Sequence, residues 1–193
     1  MTSTLFSLKD RTAYVTGGLG TIGTAICRAL GSCGAFTIAL DIDLPEPQPD
    51  NSMYFDSAEL SNLSTRLDAL ESHSGIADIW VNAAYPRTSD WAKQSQKTLT
   101  QESWAQNVSL QMNSYCLLSS AIAERMASRG GGSIINLGSI YGLVGPDFNI
   151  YEDTDMTLPP AYAAIKAAII NHSRYLASYY GSQNVRVNTV CPG

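Results

Sequence analysis

Hydrophobic positions along the chain follow two rhythms. Short, continuously apolar runs such as AYV, IWV and SIINL alternate with longer stretches in which apolar residues recur every three or four positions. The short runs predict strands at 12–16, 36–40, 53–55, 78–82, 133–137 and 185–190. The long ones predict helices at 22–32, 58–72, 101–128 and 161–180. Gly130-Gly131-Gly132 stops the third helix, Pro159-Pro160 opens the fourth and Gly181 closes it. Continuous apolarity marks strands buried on both faces, as in a parallel sheet. Strands alternating with helices give right-handed βαβ units, hence an α/β fold with a doubly wound parallel sheet. Two segments escape both rhythms: the Pro-rich stretch 44–51 (LPEPQPDN), and 143–160, long enough to suggest a functional loop.

Composition narrows the function classes. The 193 residues predict a single domain able to bury a substantial core. The net charge of -5, without a basic run, disfavours nucleic acid and anionic membranes as partners. The first residues show no apolar signal core, and no apolar stretch reaches spanning length. Cys27, Cys33, Cys116 and Cys191 have unrelated spacings and no C-x-x-C, which predicts reduced thiols in a cytoplasmic protein and offers no metal site. In that compartment the sequons at Asn62, Asn107 and Asn171 carry no sugar.

The first predicted strand runs into Thr16-Gly17-Gly18-Leu19-Gly20-Thr21-Ile22-Gly23, where a helix opens. Gly18, Gly20 and Gly23 satisfy G-x-G-x-x-G. That chemistry needs glycines for a tight turn, for backbone approach to a pyrophosphate and for close helix–strand packing. The helix N-terminus then offers N–H groups and a positive dipole end to phosphates. No G-K-[ST] follows, so a P-loop is not indicated. The architecture predicted is a Rossmann-type three-layer α/β/α fold. Asp41 ends the second strand, 18 residues after Gly23. A carboxylate there accepts hydrogen bonds from a ribose diol and repels a 2′-phosphate, and no Arg or Lys stands nearby, so NAD is favoured over NADP.

Tyr162 and Lys166 lie four apart on one helical face. Ser139 follows the C-terminal end of the fifth strand, the sheet edge where ligands bind. A hydroxyl, a phenol and an ammonium can thus meet beside a nicotinamide. A neighbouring ammonium favours phenolate over phenol, making the ring oxygen a proton carrier near neutral pH. Ser139 would hydrogen-bond the substrate oxygen where charge develops.

These motifs, in this order over essentially the whole chain, resemble the short-chain dehydrogenase/reductase family. The resemblance implies that Gly17, Gly18, Gly20, Thr21, Ile22 and Gly23 cradle the dinucleotide. Asp56 would touch its adenine, Asn82 and Ala83 would line it, and Pro192 and Gly193 would lie by the nicotinamide. Tyr162 and Lys166 would both touch the cofactor and serve catalysis with Ser139. Gln111 aligns with the family's relay Asn. It further implies a homodimer or homotetramer through the helices at 101–128 and 161–180. The family continues past Pro-Gly into substrate-covering helices and a last strand, so one domain over 1–193 without those parts is expected.

Departures from the pattern are informative. The T-G-x-x-G-x-x-G spacing is that of the branch acting on sugar nucleotides, whereas R-V-N-T-V-C-P-G belongs to the shorter branch. The usual N-N-A-G reads N-A-A-Y at 82–85, and the Ser139–Tyr162 interval of 23 residues is long. The added residues Tyr151, Glu152, Asp153 and Asp155 either roof the substrate site or form a solvated loop. Arg87 is either a phosphate contact or an ordinary surface cation. The runs N-A-A-Y-P-R-T and S-I-Y-G-L-V-G-P-D-F are similar to a subgroup of flagellin-modification and legionaminate-biosynthesis oxidoreductases. The expectation is an NAD-dependent oxidoreductase interconverting a secondary alcohol and a ketone on a sugar or sugar nucleotide. A reductase of simple ketones and a dinucleotide-binding protein without turnover stay open as alternatives.

Overall fold

The computed structural model describes residues 6–154 and 156–193. Six strands are present: β1 (Thr12–Thr16), β2 (Phe36–Asp41), β3 (Ser52–Tyr54), β4 (Ile79–Asn82), β5 (Gly132–Leu137) and β6 (Val185–Val190). They form one parallel sheet in the order β3-β2-β1-β4-β5-β6. Side chains alternate across it. On one face Tyr14 pairs in register with Trp80, Trp80 with Ile134, and Ile134 with Val187. Against that row pack α2 (Leu63–Ser74), α4 (Ser114–Ala127) and α5 (Pro160–Tyr180), through Leu67, Leu70, Leu118, Ile122, Met126 and Leu176. On the other face α1 (Thr21–Ser32) lays Ile26, Cys27 and Leu30 on Ala13, Val15, Ile79 and Val81. Each large side chain so buried contributes about 1.5–3 kcal/mol. The predicted three-layer α/β/α fold is the one observed.

Two helices differ from expectation. The helix expected at 58–72 begins only at Leu63, because polar side chains capture the preceding backbone. Asp56 Oδ1 accepts from the Ala58 amide, Glu59 Oε1 accepts from the Ser61 amide, and Asn62 is left-handed at φ 50°. The helix expected at 101–128 is three pieces in one rod: α3 (Gln101–Asn107), a π-helical segment (Val108–Asn113) and α4. The wide π turn shifts which side chains face inward. Gln111 and Ser114 are both fully buried, a pairing with a polar residue that periodicity alone did not suggest.

A polar seam crosses the otherwise apolar layer. Trp80 Nε1 donates to Asn82 Oδ1, and Asn82 Nδ2 donates to Ser119 Oγ and Asn136 Oδ1. Asn136 Nδ2 donates to Ser173 Oγ, which donates to the Ile169 carbonyl. The seam ties β4 and β5 to α4 and α5 just beneath the sheet edge where the strand order reverses, between β1 and β4. An open α/β sheet binds its ligands at that crevice.

Candidate active site

The chain leaves β1 at Thr16 and turns sharply. Gly17 sits at φ 66°, and a Cβ there would lie 2.7 Å from Ala84 Cα. A Cβ on Gly18 would strike Ala39 at 2.7 Å, and one on Gly23 would collide with the Gly17 carbonyl oxygen at 2.0 Å. Packing within the protein therefore explains these three glycines. Gly20 is different: its Cβ would meet only the Gly17 oxygen, at 3.3 Å. Its bare backbone faces open space at the mouth of α1. No side chain caps α1, and its first turn, Thr21 to Gly23, holds no acidic residue. Such an uncapped, positive helix end fits a diphosphate. Ile22, at 55% exposure, stands beside it.

Asp41 ends β2 beside this turn. Its Oδ2 accepts from the Leu19 amide at 3.0 Å and its Oδ1 from the Ile42 amide at 2.9 Å. The carboxylate is thus fixed against the glycine turn, next to where an adenosine ribose would lie. Ile42 beside it is uncharged and exposed. Asp56 lies half-buried past β3, bonded to the Ala58 amide. Past β4, the amides of Ala83 and Ala84 approach Thr16 Oγ1 at 3.3 Å, which locks that strand end to the glycine turn.

On the other side of the crevice, β5 delivers Ser139, 5% exposed, whose Oγ accepts from the Tyr141 amide. The following 3₁₀ turn, Ile140–Gly142, packs on α5; a Cβ on Gly142 would lie 2.7 Å from the Lys166 carbonyl carbon. Pro192 accepts from the Ile140 amide, and Gly193 lies against the Ile140 side chain, so both sit beside Ser139. On α5, Tyr162 is partly open and Lys166 is buried. Lys166 Nζ donates to the Leu137 carbonyl at 2.6 Å and stands 5.7 Å from the Tyr162 ring centroid. Burial pushes the Lys166 ammonium down to about 8, with nearby Cys191 opposing the shift. Lys166 thus stands close to Tyr162 and to Tyr85, and the neighbouring Ala84 packs against Gly17 of the glycine turn.

Three expected contributors sit differently. The Asn82 side chain is 1% exposed and fully engaged by Trp80, Ser119 and Asn136. The side chain braces the sheet, which leaves the Asn82 backbone to line a ligand. The Gln111 side chain is sealed at 1% exposure with neither amide atom hydrogen-bonded. Its carbonyl accepts from the Ser114 amide and from Ser114 Oγ. Gln111 is consequently a group beneath the site, on the π segment that packs against α5. Of the long loop, Tyr151 places its hydroxyl 3.3 Å from that of Tyr141, whereas Glu152 and Asp153 are exposed. Asp155 lies outside the described residues.

Residues not singled out as a group close the remaining wall. Tyr85 packs edge-on against Trp91 at 6.0 Å and Tyr162 at 6.2 Å, and Trp91 also meets Tyr162 at 6.3 Å. Burial pushes the Tyr85 phenol up to about 12. Arg87 lies 5.2 Å from the Tyr85 ring. Asn107 fastens this wall: its Nδ2 donates to Thr88 Oγ1, and its Oδ1 accepts from the Thr88 amide. The only sequence signal was aromatic density at 80–91; Asn107 gave none beyond a sequon.

Comparison with known proteins agrees with this fold. The model of the short chain dehydrogenase family matches residues 11–193. The flagellin modification protein A of Campylobacter coli is 31% identical over 205 residues, covering 96% of this chain and 77% of that protein. A probable galactose dehydrogenase of Rhizobium meliloti is 31% identical over 196 residues, covering 96% of this chain and 72% of that protein. A crystal structure of a short chain dehydrogenase from Leptospira borgpetersenii with bound NAD+ superposes with a TM-score of 0.83 at 28% identity, covering 100% of this chain and 75% of that one. With a six-stranded parallel sheet, a glycine turn at its switch point and Ser139, Tyr162 and Lys166 alongside, the chain belongs to the short-chain dehydrogenase/reductase family of oxidoreductases.

Proposed function

We propose that the protein is an NAD-dependent oxidoreductase interconverting a secondary alcohol and a ketone on a sugar or sugar nucleotide. The observation that carries this reading is that Lys166 and Tyr162 meet at the end of β5, where Ser139 follows, while the glycine turn packs on Ala84 at the end of neighbouring β4. Bound there, a nicotinamide would supply the hydride acceptor or donor. Gly17 to Gly23 would bind the diphosphate through backbone amides and the α1 dipole. Asp41 would accept the adenosine ribose hydroxyls and repel a 2′-phosphate. Asp56, Ala83, Pro192 and Gly193 would line the rest. Ser139 Oγ would hydrogen-bond the substrate oxygen, and Tyr162 Oη would take its proton on oxidation or return it on reduction. Lys166, cationic below about pH 8, would stabilise the charge on Tyr162 Oη and reach a ribose hydroxyl. Gln111 would act beneath them through an internal water that satisfies its orphan amide.

A sugar substrate is supported by the name of the Rhizobium relative, a probable galactose dehydrogenase, and by the partly exposed Tyr85 ring propped on Trp91, whose apolar surface suits the C–H face of a sugar. Free thiols at all four cysteines support a reducing, cytoplasmic location. Exposed Leu117, Tyr175 and Tyr179 on the outer surface of α4 and α5 support a homodimer or homotetramer.

Replacing Tyr162 by Phe tests the assignment. Turnover of NADH with a responsive sugar ketone should fall at least about 100-fold, with NAD affinity retained. Unchanged turnover would refute the mechanism.

A further inference from the structure

Lys166 is buried without a carboxylate. No Asp or Glu lies within ion-pair distance of it among the described residues. A buried ammonium without a counter-ion normally sheds its proton. The Lys166 Nζ donates to the Leu137 carbonyl, and around it stands a set of tyrosine rings from three parts of the fold. Tyr115 of α4 has its ring centroid 5.2 Å from Nζ, Tyr162 of α5 stands at 5.7 Å, and Tyr85 of the segment after β4 at 5.8 Å. The negative face of an aromatic ring attracts a cation at this range, more so when water is excluded. Tyr115 is 4% exposed and its hydroxyl donates to the Ala84 carbonyl at 2.8 Å, so one ring of the set also anchors the backbone carrying the next. Tyr85 is propped in turn by Trp91.

We propose that Tyr85 and Tyr115 are positioning residues that, together with Tyr162, form an aromatic cage holding Lys166 as a cation in the place an acidic partner would otherwise take. Tyr85 stands where the family pattern has glycine, and the cage depends on that departure. The proposal rests on the reading that Lys166 serves the active site. Of the other titratable groups near Lys166, only Cys191 favours the ammonium, and it leaves the lowering by burial dominant. Cys191 follows β6, Tyr141 lies on the turn packed against α5, and the Arg87 cation is set beyond Tyr85. Burial pushes the phenols of Tyr85 and Tyr115 upward, which keeps both rings neutral over the working range. A neutral ring offers its face to the ammonium without becoming an ion-pair partner.

The test reads Lys166 directly. The chain has four lysines, Lys9, Lys93, Lys97 and Lys166, so each side-chain nitrogen can be followed by NMR titration of protein labelled with ¹⁵N-lysine. Tyr85→Leu and Tyr115→Leu keep the surroundings apolar but remove a ring. Each should lower the Lys166 midpoint by about one pH unit. The alkaline limb of the kcat/KM profile should move down equally. Tyr85→Phe and Tyr115→Phe keep the rings and should leave the midpoint in place. Tyr85 is 39% exposed, so its variants remain informative if the buried Tyr115→Leu fails to fold. A midpoint unmoved or raised in Tyr85→Leu overturns the cage. If Tyr162→Phe still abolishes turnover in that case, the functional reading survives the loss of the cage. Full turnover in Tyr162→Phe, with the midpoint shifted in Tyr85→Leu, sinks the functional reading and leaves the cage.

Discussion

At the level of single residues, Gly20 and Gly23 separate what the fold needs from what a ligand needs. A methyl at Gly23 would collide with the Gly17 oxygen at 2.0 Å, whereas one at Gly20 meets that oxygen at 3.3 Å, a contact a small shift relieves. Gly23→Ala should therefore unfold the turn and lower the melting temperature sharply. Gly20→Ala should leave melting within a few degrees and weaken dinucleotide binding at least about 10-fold, read by calorimetry. Lys166 gives a pH-dependent companion. Its folded-state value, lowered by burial to about 8, lies below that of the unfolded chain. The unfolded state then binds more protons between about pH 8 and 10, so stability rises with pH across that window. Below about pH 8 the full cost of burying the ammonium is present, at most roughly 3 kcal/mol. Lys166→Met should raise the melting temperature at pH 7, and the gain should shrink toward pH 10. An equal gain at both values would mean that the ammonium is not desolvated.

Among elements, the strands were the most legible. The runs at 12–16 and 185–190 coincide with β1 and β6: AYV is continuously apolar, as a strand covered on both faces must be, whereas VRVNTV alternates, as fits an edge strand with alternate residues exposed. The start of α2 was hidden, since side-chain hydrogen bonds from Asp56 and Glu59 and the left-handed backbone of Asn62 redirect the chain in ways that a hydrophobic period does not record. The π segment was hidden for a related reason: one wider turn leaves composition unchanged while rotating Gln111 inward. Asn136 sits in the middle of SIINL and reads as an interruption, yet it is the hub of the seam from Asn82 to Ser173. Asn136→Leu would leave Asn82, Ser119 and Ser173 short of partners in the buried layer. A loss of about 3 kcal/mol is expected, seen as a melting temperature lower by roughly 6–12 °C. No change would mean that the seam is solvated. The glycine turn, Asp41, Ser139, Tyr162 and Lys166 were legible because each belongs to a short motif with a fixed place on a strand or helix end. The Tyr85–Trp91–Tyr115 surround was not, because its members come from separate segments that only the folded chain brings together.

On the scale of the whole molecule, the reversal of strand order between β1 and β4 places two machines at one edge of the sheet. In the proposed function the glycine turn and Asp41 would form the dinucleotide half, and Ser139, Tyr162 and Lys166 the chemical half. Trp91 packs against Tyr162, and Asn107 ties down Thr88 nearby. Everything in the proposed chemistry presumes that a dinucleotide lies across the first half with its adenosine ribose at Asp41. Calorimetric titration with NAD and with NADP measures that most directly. The account predicts saturable NAD binding at least about 10-fold tighter than NADP binding, with the preference lost in Asp41→Ser. Absence of binding by either dinucleotide, or a preference for NADP unaffected by Asp41→Ser, would contradict it.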